Sequence, residues 1–459
     1  MPRKSTKETV KKVAEPRSKS ITDFLEEDFQ PAALYLNYRT TPSCIDGLKN
    51  SHRKIVYAVR KLNKKDYTKV SQLAPLISAE TDYLHGETSL MGAVVTLAQD
   101  YTGSNNLPLL IPNGNFGTRH MNSASAPRYI FTMPQPYFDL VFRKEDDKNL
   151  VKQIFEGGEI EPRFYVPIVP LLLVNGCVGI GVGFSSKVLA RPLDNMIEAI
   201  KLKLDKKKIP SELFVPNWNG FTGKVESLGN NKWAISGVAK KTGKHVEITE
   251  LPISYDLMTY RNELKKLKEK GLVSKFTDLS EDDKFLFDVV LSPEEFMKSD
   301  EQIFSDLKLT DTFTESLVCL DENNALKEFD SAQDVFDKYF DVMIEYLQKR
   351  IASEIARLEK EAKDLKEIHE FVQDVIEGRI NLKLKRADVE EKMKSRGYTI
   401  IDRLLAMPLY SITEEKAIES KEKYEAKEKE LEDMRKQTPS KLWKSNLNEL
   451  QKAIAKVGK

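Results

Sequence analysis

Tyr129 and Arg128 close a glycine-punctuated stretch, Asn113-Gly-Asn-Phe-Gly-Thr-Arg-His-Met-Asn-Ser-Ala-Ser-Ala-Pro-Arg-Tyr129. A phenol titrates at about 10 and attacks poorly at neutral pH. A tyrosine nucleophile therefore needs cations nearby to stabilise the phenolate and the charge that builds on a phosphate under attack. Arg128 supplies one. The plainer alternative is a half-buried strand residue in Arg-Tyr-Ile-Phe, since tyrosine is common in strands.

Other residues suited to chemistry lie on elements that would have to position them. Phe29 to Arg39 reads as a helix with Ala33, Leu36 and Asn37 near one stripe. Ser51 to Arg60 reads as a second helix, its apolar Ile55, Val56 and Val59 alternating with cations, as in a recognition helix of helix-turn-helix type. Lys49, His52, Arg53 and Lys54 fall at or before its first turn, where backbone N–H groups also favour phosphate, which makes them candidates for a phosphate contact. The alternative is a solvated basic helix start. His85 stands just before a third predicted helix, Ser89 to Tyr101. Glu161 to Gly176 is rich in proline and apolar residues and reads as a packed, extended connection. It delivers Ile180, set between Gly179 and Gly181, which on residue type alone reads as a core residue. The same glycines do not follow a strand-turn-helix order, which excludes a dinucleotide-binding loop.

Beyond residue 216 the pattern changes. Thr222 to Gly237 reads as a hairpin around Gly229-Asn-Asn, His245 to Leu251 and Lys284 to Leu291 as strands, and Tyr255 to Lys270 as a helix between them. Ser331 to Ile376 reads as one long helix. Leu347, Ile351, Ile355, Leu358, Ala362, Leu365, Ile368 and Val372 recur at steps of three and four, the mark of a coiled-coil seam. Gly378 is expected to end it. Residues 379 to 410 read as a compact helical knot, and Ser411-Ile-Thr-Glu414 as a capping box for a returning helix. The highly charged Lys416 to Arg435 must then lean on the first arm, and Thr438 caps a last helix.

Four ordered blocks carry a family resemblance. Asn113-Gly-Asn-Phe-Gly-Thr-Arg-His with Ala126-Pro-Arg-Tyr-Ile130, Tyr83-Leu-His-Gly-Glu-Thr-Ser-Leu90, Asp46-Gly-Leu-Lys49 and Leu173-Val-Asn-Gly-Cys-Val-Gly-Ile-Gly-Val-Gly183 resemble the blocks of type IIA DNA topoisomerases, in their breakage-reunion (gyrase A-like) part. The spelling is nearer the eukaryotic and T-even phage enzymes than bacterial gyrase. The resemblance implies an α+β, multidomain chain. It would comprise a winged-helix DNA-cleavage domain at 21–190, an α/β tower domain at 191–330, and a long antiparallel coiled coil with a C-terminal dimer gate at 331–459. It implies that Tyr129 makes a 5′-phosphotyrosyl bond to DNA while Arg128, Arg39 and His85 stabilise the phosphorane, and that Ile180 wedges between base pairs. It also implies a homodimer that cuts both strands to pass a second duplex. Mg²⁺ and ATP are expected on a partner subunit, because no Asp-x-Asp-x-Asp or glycine-rich ATP pattern occurs here. Two alternatives are an architectural DNA clamp without catalysis and a metal-dependent hydrolase using His52, His85 and His120, whose spacing has no ligand pattern.

Composition sets wider bounds. At 459 residues, length suggests roughly three domains. There are 72 Lys and Arg against 71 Asp and Glu, a net charge of +1, so any nucleic-acid face must come from local clustering. Three widely spaced cysteines fit a reducing compartment. Apolar runs such as Ile168 to Val174 fall far short of the roughly 20 residues of a membrane span, and no secretory signal is recognised. The expected location is cytoplasmic, that of a host if viral, or nuclear. Residues 1–20 hold seven Lys or Arg and few apolar side chains, and are expected to be a disordered basic tail.

Overall fold

A computed structural model of the chain describes residues 19–63, 65–408 and 413–457. Nearly all of the basic tail, and Ser411 of the expected capping box, lie outside these residues. The chain mixes helices with small antiparallel sheets.

The first helices form with shifted ends, and of the stripe expected on the first of them only Asn37 is buried while Leu36 is exposed. Helix α1 (Gln30–Thr40) continues a helical segment that starts at Ile21. Helix α2 (Asn50–Lys61) buries Ile55, Val56, Ala58 and Val59. Strand β1 (Thr68–Lys69) leads directly into α3 (Val70–Thr81), which ends at Asp82 in the left-handed region, φ 46°. Helix α4 (Glu87–Ala98) begins after Gly86. Strands β2 (Leu110–Asn113) and β3 (Phe131–Pro134) close a three-stranded antiparallel sheet in the order β1-β3-β2. The long β2–β3 loop carries Arg128 and Tyr129. The proline-rich connection is not wholly extended, since Leu171–Asn175 forms a short helix. Its prolines stop at Pro170, so nothing denies backbone N–H groups to the apolar run that follows. A hairpin of β4 (Cys177–Ile180) and β5 (Ser185–Val188) comes next, then α5 (Leu193–Leu204).

A second core forms around sheets. The hairpin β6 (Lys224–Gly229) and β7 (Lys232–Ser236) turns through Asn230 and Asn231 at φ 50° and 56°, the double positive φ that a tight hairpin turn requires. Strands β8 (Val238–Thr242), β9 (His245–Glu250), β10 (Val273–Asp278) and β11 (Phe287–Leu291) form an antiparallel sheet in the order β8-β9-β11-β10. Helix α6 (Leu257–Glu269) covers it with Tyr260, Leu264 and Leu267 against Val246, Ile248, Phe287 and Val289. Strand β12 (Thr310–Thr314) pairs with β7.

Helix α7 (Ala332–Ile376) is the expected 45-residue arm, capped by the Ser331 hydroxyl, which accepts from the Asp334 N–H. It ends before Gly378 at φ 72°. Helix α7 packs along helix α8 (Glu414–Arg435), with Leu358, Ala362 and Val372 of the expected seam buried, while Leu347 joins the main core and Ile368 the cluster around Phe371 and Leu404. Ion pairs tie the arms, Arg435 to Glu359 at 2.7 Å and Lys427 to Glu361 at 3.3 Å. The cap of α8 is Thr413, whose hydroxyl accepts from the Lys416 amide. Helix α9 (Pro439–Val457) then returns to the main core. Trp443 is wholly buried there, donating to the Ile168 carbonyl, beside Tyr339 and Phe340 of α7.

Candidate active site and nucleic-acid interface

Tyr129 does not lie in a strand. It sits in a turn closed by its N–H donating to the Ala126 carbonyl, two residues before β3, and it is 64% exposed while Ile130 beside it is buried. The turn is pinned from below, because the first amides of α3 donate into it: Val70 N–H to the Ile130 carbonyl and Ser71 N–H to that of Pro127. The Arg128 guanidinium lies 4.6 Å from the centroid of the Tyr129 ring. Among the described residues no carboxylate pairs with Arg128 or Arg39 within ion-pair distance, so both cations are left for another anion.

His85 gathers a second group. Its Nε2 is 2.7 Å from the Tyr35 hydroxyl, and its ring meets Tyr83 edge-on. Tyr35 and Arg39 are four residues apart on α1, hence on one face. Burial, then the charges of Arg39 and Lys54, pulls the His85 pKa down, which keeps the ring neutral near pH 7. Tyr83 is itself buried and serves as packing beneath the imidazole. Within one chain the two groups stand at opposite ends of α3, whose 12 residues span about 18 Å. The structure thus joins Arg128 to Tyr129 and brings Arg39 near His85, but it does not bring the pairs together.

The expected basic cluster on α2 is largely corrected. Arg53 is 1% exposed and forms a two-pronged pair with Asp46, Nε to Oδ2 at 2.9 Å and Nη2 to Oδ1 at 3.2 Å. The same carboxylate accepts from the Leu48 and Tyr165 amides. Lys54 is also buried, donating to the Thr81 carbonyl and to Glu161 at 2.9 Å. Neither can reach a phosphate. Asp46 and Gly47 of the Asp46-Gly-Leu-Lys block therefore serve packing. Gly47 takes φ 68°, and a Cβ there would lie 2.3 Å from the Leu172 nitrogen.

Lys49 stands at the N-cap position of α2 without a side-chain capping bond and donates instead to the Val178 carbonyl at 2.6 Å. His52 is half-buried one turn on. Burial, then the Lys49 and Arg53 charges, lowers its pKa from 6.5 to about 3. The unfolded imidazole takes up a proton that the folded one refuses. Stability is therefore expected to fall as pH drops from 6.5 toward 3. His52→Gln should flatten that part of a melting-temperature profile against pH, leaving the value at pH 7 little changed.

The hairpin β4–β5 presents Ile180 at 75% exposure, with Val178 and Phe184 also open to solvent. The glycines beside Ile180 serve packing rather than approach to a ligand. A Cβ on Gly179 would lie 2.3 Å from the Thr40 carbonyl oxygen, and one on Gly181 2.1 Å from Asn37 Oδ1. Asn37, buried on α1, clasps the Val182 backbone through both its amide atoms. The strand is pressed against α1, and its other face carries the apolar side chains outward. Sequence reasoning missed Val178, Phe184 and Tyr35. The i, i+2 spacing of Val178 and Ile180 was the available signal for the first.

No group of three or more His, Cys, Asp or Glu among the described residues could hold a metal ion. His52, His85 and His120 do not converge. His120 stacks on Phe285, 5.0 Å between centroids.

A family model described as the A-subunit of DNA gyrase/topoisomerase IV matches residues 39–450. Among curated relatives, the mitochondrial DNA topoisomerase 2 of Dictyostelium discoideum is 30% identical over 457 residues, covering 95% of this chain and 35% of the relative. DNA topoisomerase 2-alpha of Gallus gallus is 32% identical over 470 residues, covering 93% and 30%. The chain thus spans about a third of the length of these relatives. The solved DNA-binding, cleavage and re-ligation domain of Plasmodium falciparum topoisomerase II superposes with a TM-score of 0.84 at 30% identity, covering 94% of this chain and 64% of that one.

Proposed function

Given that the chain belongs to the A-subunit family of DNA gyrase/topoisomerase IV, we propose that it is the DNA-cleavage and religation part of an ATP-dependent type IIA topoisomerase, an isomerase that relaxes and decatenates DNA. One observation carries the proposal: a solvent-exposed tyrosine, held in a hydrogen-bonded turn, with an arginine lying across its ring and, among the described residues, no carboxylate paired with that arginine.

The Tyr129 phenol oxygen attacks a DNA phosphorus, losing its proton, and the bond from phosphorus to the 3′ oxygen breaks. A 5′-phosphotyrosyl ester and a 3′-hydroxyl result. The reverse attack reseals the strand, since the ester conserves the bond energy. Arg128 meets the charge that grows on the phosphate. Arg39 and His85 serve the same phosphate, and their distance along α3 favours a twofold assembly in which one copy supplies this pair and the other supplies Tyr129. A neutral His85 that accepts the Tyr35 proton at Nε2 would offer Nδ1–H to a phosphate oxygen. Ile180, flanked by Val178 and Phe184, would unstack a base step and bend the duplex. Lys49 is the one member of the α2 cluster retained as a DNA contact.

The reading divides the chain into a winged-helix cleavage domain at 21–190, a tower at 191–330, and a coiled coil with a dimer gate at 331–459. A divalent ion would supply Lewis-acid assistance to the leaving oxygen. Its ligands, and the ATP site, are proposed to lie on sequence outside the described residues or on a partner subunit. Among the described residues no helix is long and apolar enough to cross a membrane, and the proposed location is wherever the DNA is, cytoplasm or nucleus.

The test combines the chain with a polypeptide carrying the ATPase and metal-binding parts, Mg²⁺, ATP and a catenated DNA network. Circles should be released only with ATP, and stopping with detergent should trap protein on 5′ ends. Failure to trap protein with an active partner would refute the reading.

A further inference from the structure

The loop from β2 to β3 does more than carry a tyrosine. Its neck is closed by the Ser125 amide donating to the Asn115 carbonyl and by Gln99 donating to the Phe116 carbonyl. Thr118 and Met121 exchange backbone hydrogen bonds at 2.8 and 3.1 Å. Gly117 has φ 99°, and a Cβ on it would lie 2.6 Å from the Asn122 carbonyl oxygen, so only glycine fits there. The result is a compact protrusion with Arg119 and His120 at its tip.

That tip is inserted into the second core. Arg119 is 5% exposed. Its Nη1 donates to the Tyr255 carbonyl at 2.6 Å, and its Nη2 to the carbonyls of Leu251 at 2.9 Å and Pro252 at 3.3 Å and to Glu250 Oε1 at 3.3 Å. Its guanidinium lies 4.8 Å from the Phe285 ring centroid. The His120 carbonyl accepts from the Leu257 amide at the start of α6. One side chain thus collects three backbone carbonyls, a carboxylate and an aromatic face from the segment joining β9 to α6 and its neighbour. A desolvated cation is costly unless its partners are fixed, so this seat demands one relative position of loop and sheet.

We infer that Arg119 is a positioning residue for Tyr129, locking the nucleophile-bearing loop to the β-rich body so that the placement of that body on DNA sets the placement of the phenol. The inference rests on the cleavage role proposed above for Tyr129. The turn that holds Tyr129 hangs between two anchors, the first amides of α3 on one side and the Arg119 seat on the other. Releasing the second anchor leaves the fold of each body intact while freeing the loop.

The test uses the full chain with Arg119→Ala, Arg119→Lys and Glu250→Gln. For the chain alone, amide hydrogen exchange across 115–129 should quicken in Arg119→Ala by about tenfold or more while α2 and α6 are unchanged, as expected for a local opening. In the assembled enzyme with Mg²⁺, single-turnover adduct formation should slow by about 10²-fold. The DNA dissociation constant should move far less, and Arg119→Lys and Glu250→Gln should fall between. Unchanged adduct rates in Arg119→Ala would overturn the inference, as would a parallel loss of DNA binding and melting temperature, which marks a merely structural role. If the unsubstituted enzyme formed no adduct, the cleavage reading itself would fall, whereas an exchange difference would still report the anchor.

Discussion

Tyr129→Phe is expected to abolish covalent protein–DNA adducts, a loss of at least about 10³-fold, because it removes the oxygen proposed above as the nucleophile. The change deletes one oxygen from a side chain whose hydroxyl makes no hydrogen bond among the described residues and which is mostly in solvent, so the fold has little to lose. Under the proposed function, DNA binding would rest chiefly on cations that meet phosphates, and its salt dependence should be retained. The informative pairing is Tyr129→Phe beside Arg128→Ala. The first should bind DNA and never cleave. The second should cleave slowly, since the nucleophile persists while its nearest cation is gone. Adducts that persist in Tyr129→Phe at the unsubstituted level would assign the nucleophile elsewhere.

Arg53→Ala is the second large effect, and its sign separates two accounts of the same residue. As a phosphate contact, Arg53 would weaken DNA binding on removal and lower the salt slope by about one, with stability untouched. As found, Arg53 is sealed against Asp46, with 1% and 0% of the side chains exposed. Its loss would strand a carboxylate that still holds the Leu48 and Tyr165 amides. Breaking such a buried pair typically costs about 3–5 kcal/mol. Chemical denaturation should therefore show a large drop in stability, and a salt titration of whatever folded protein remains should show an unchanged slope. Replacing both partners, Arg53→Met with Asp46→Leu, should recover part of the loss. A stable Arg53→Ala protein with a reduced salt slope would restore the phosphate role.

The legible parts of the fold are those whose information is local. The seam of α7 repeats every three or four residues over a helix of 45, and a long run of one period admits few other readings. The β6–β7 hairpin announces itself through Asn230-Asn231, two residues that tolerate positive φ. The Leu171–Asn175 helix was hidden because the prolines before it suggested an extended path, and the return of α9 to the main core through Trp443 was hidden because a helix pattern does not say what it packs on.

In the site, the resemblance carried by the ordered blocks singled out Tyr129, Arg128, His85 and Ile180, because residue type alone reads equally as a strand tyrosine, a structural histidine and a core isoleucine. Tertiary structure decided which of them face outward. It placed Tyr129 in a turn rather than a strand, turned Val178 and Phe184 out beside Ile180, and put His85 against Tyr35, 50 residues away in the chain. It also buried Arg53 and Lys54 against Asp46 and Glu161. From sequence, a cation in the first turn of a helix looks the same whether it meets a phosphate or a buried carboxylate. The partner that settles the matter for Lys54 is Glu161, 107 residues distant, and for Arg119 it is a segment about 130 residues on. A charge leaves water only where fixed partners offset its desolvation, and those partners are assembled by packing, not by proximity in the chain.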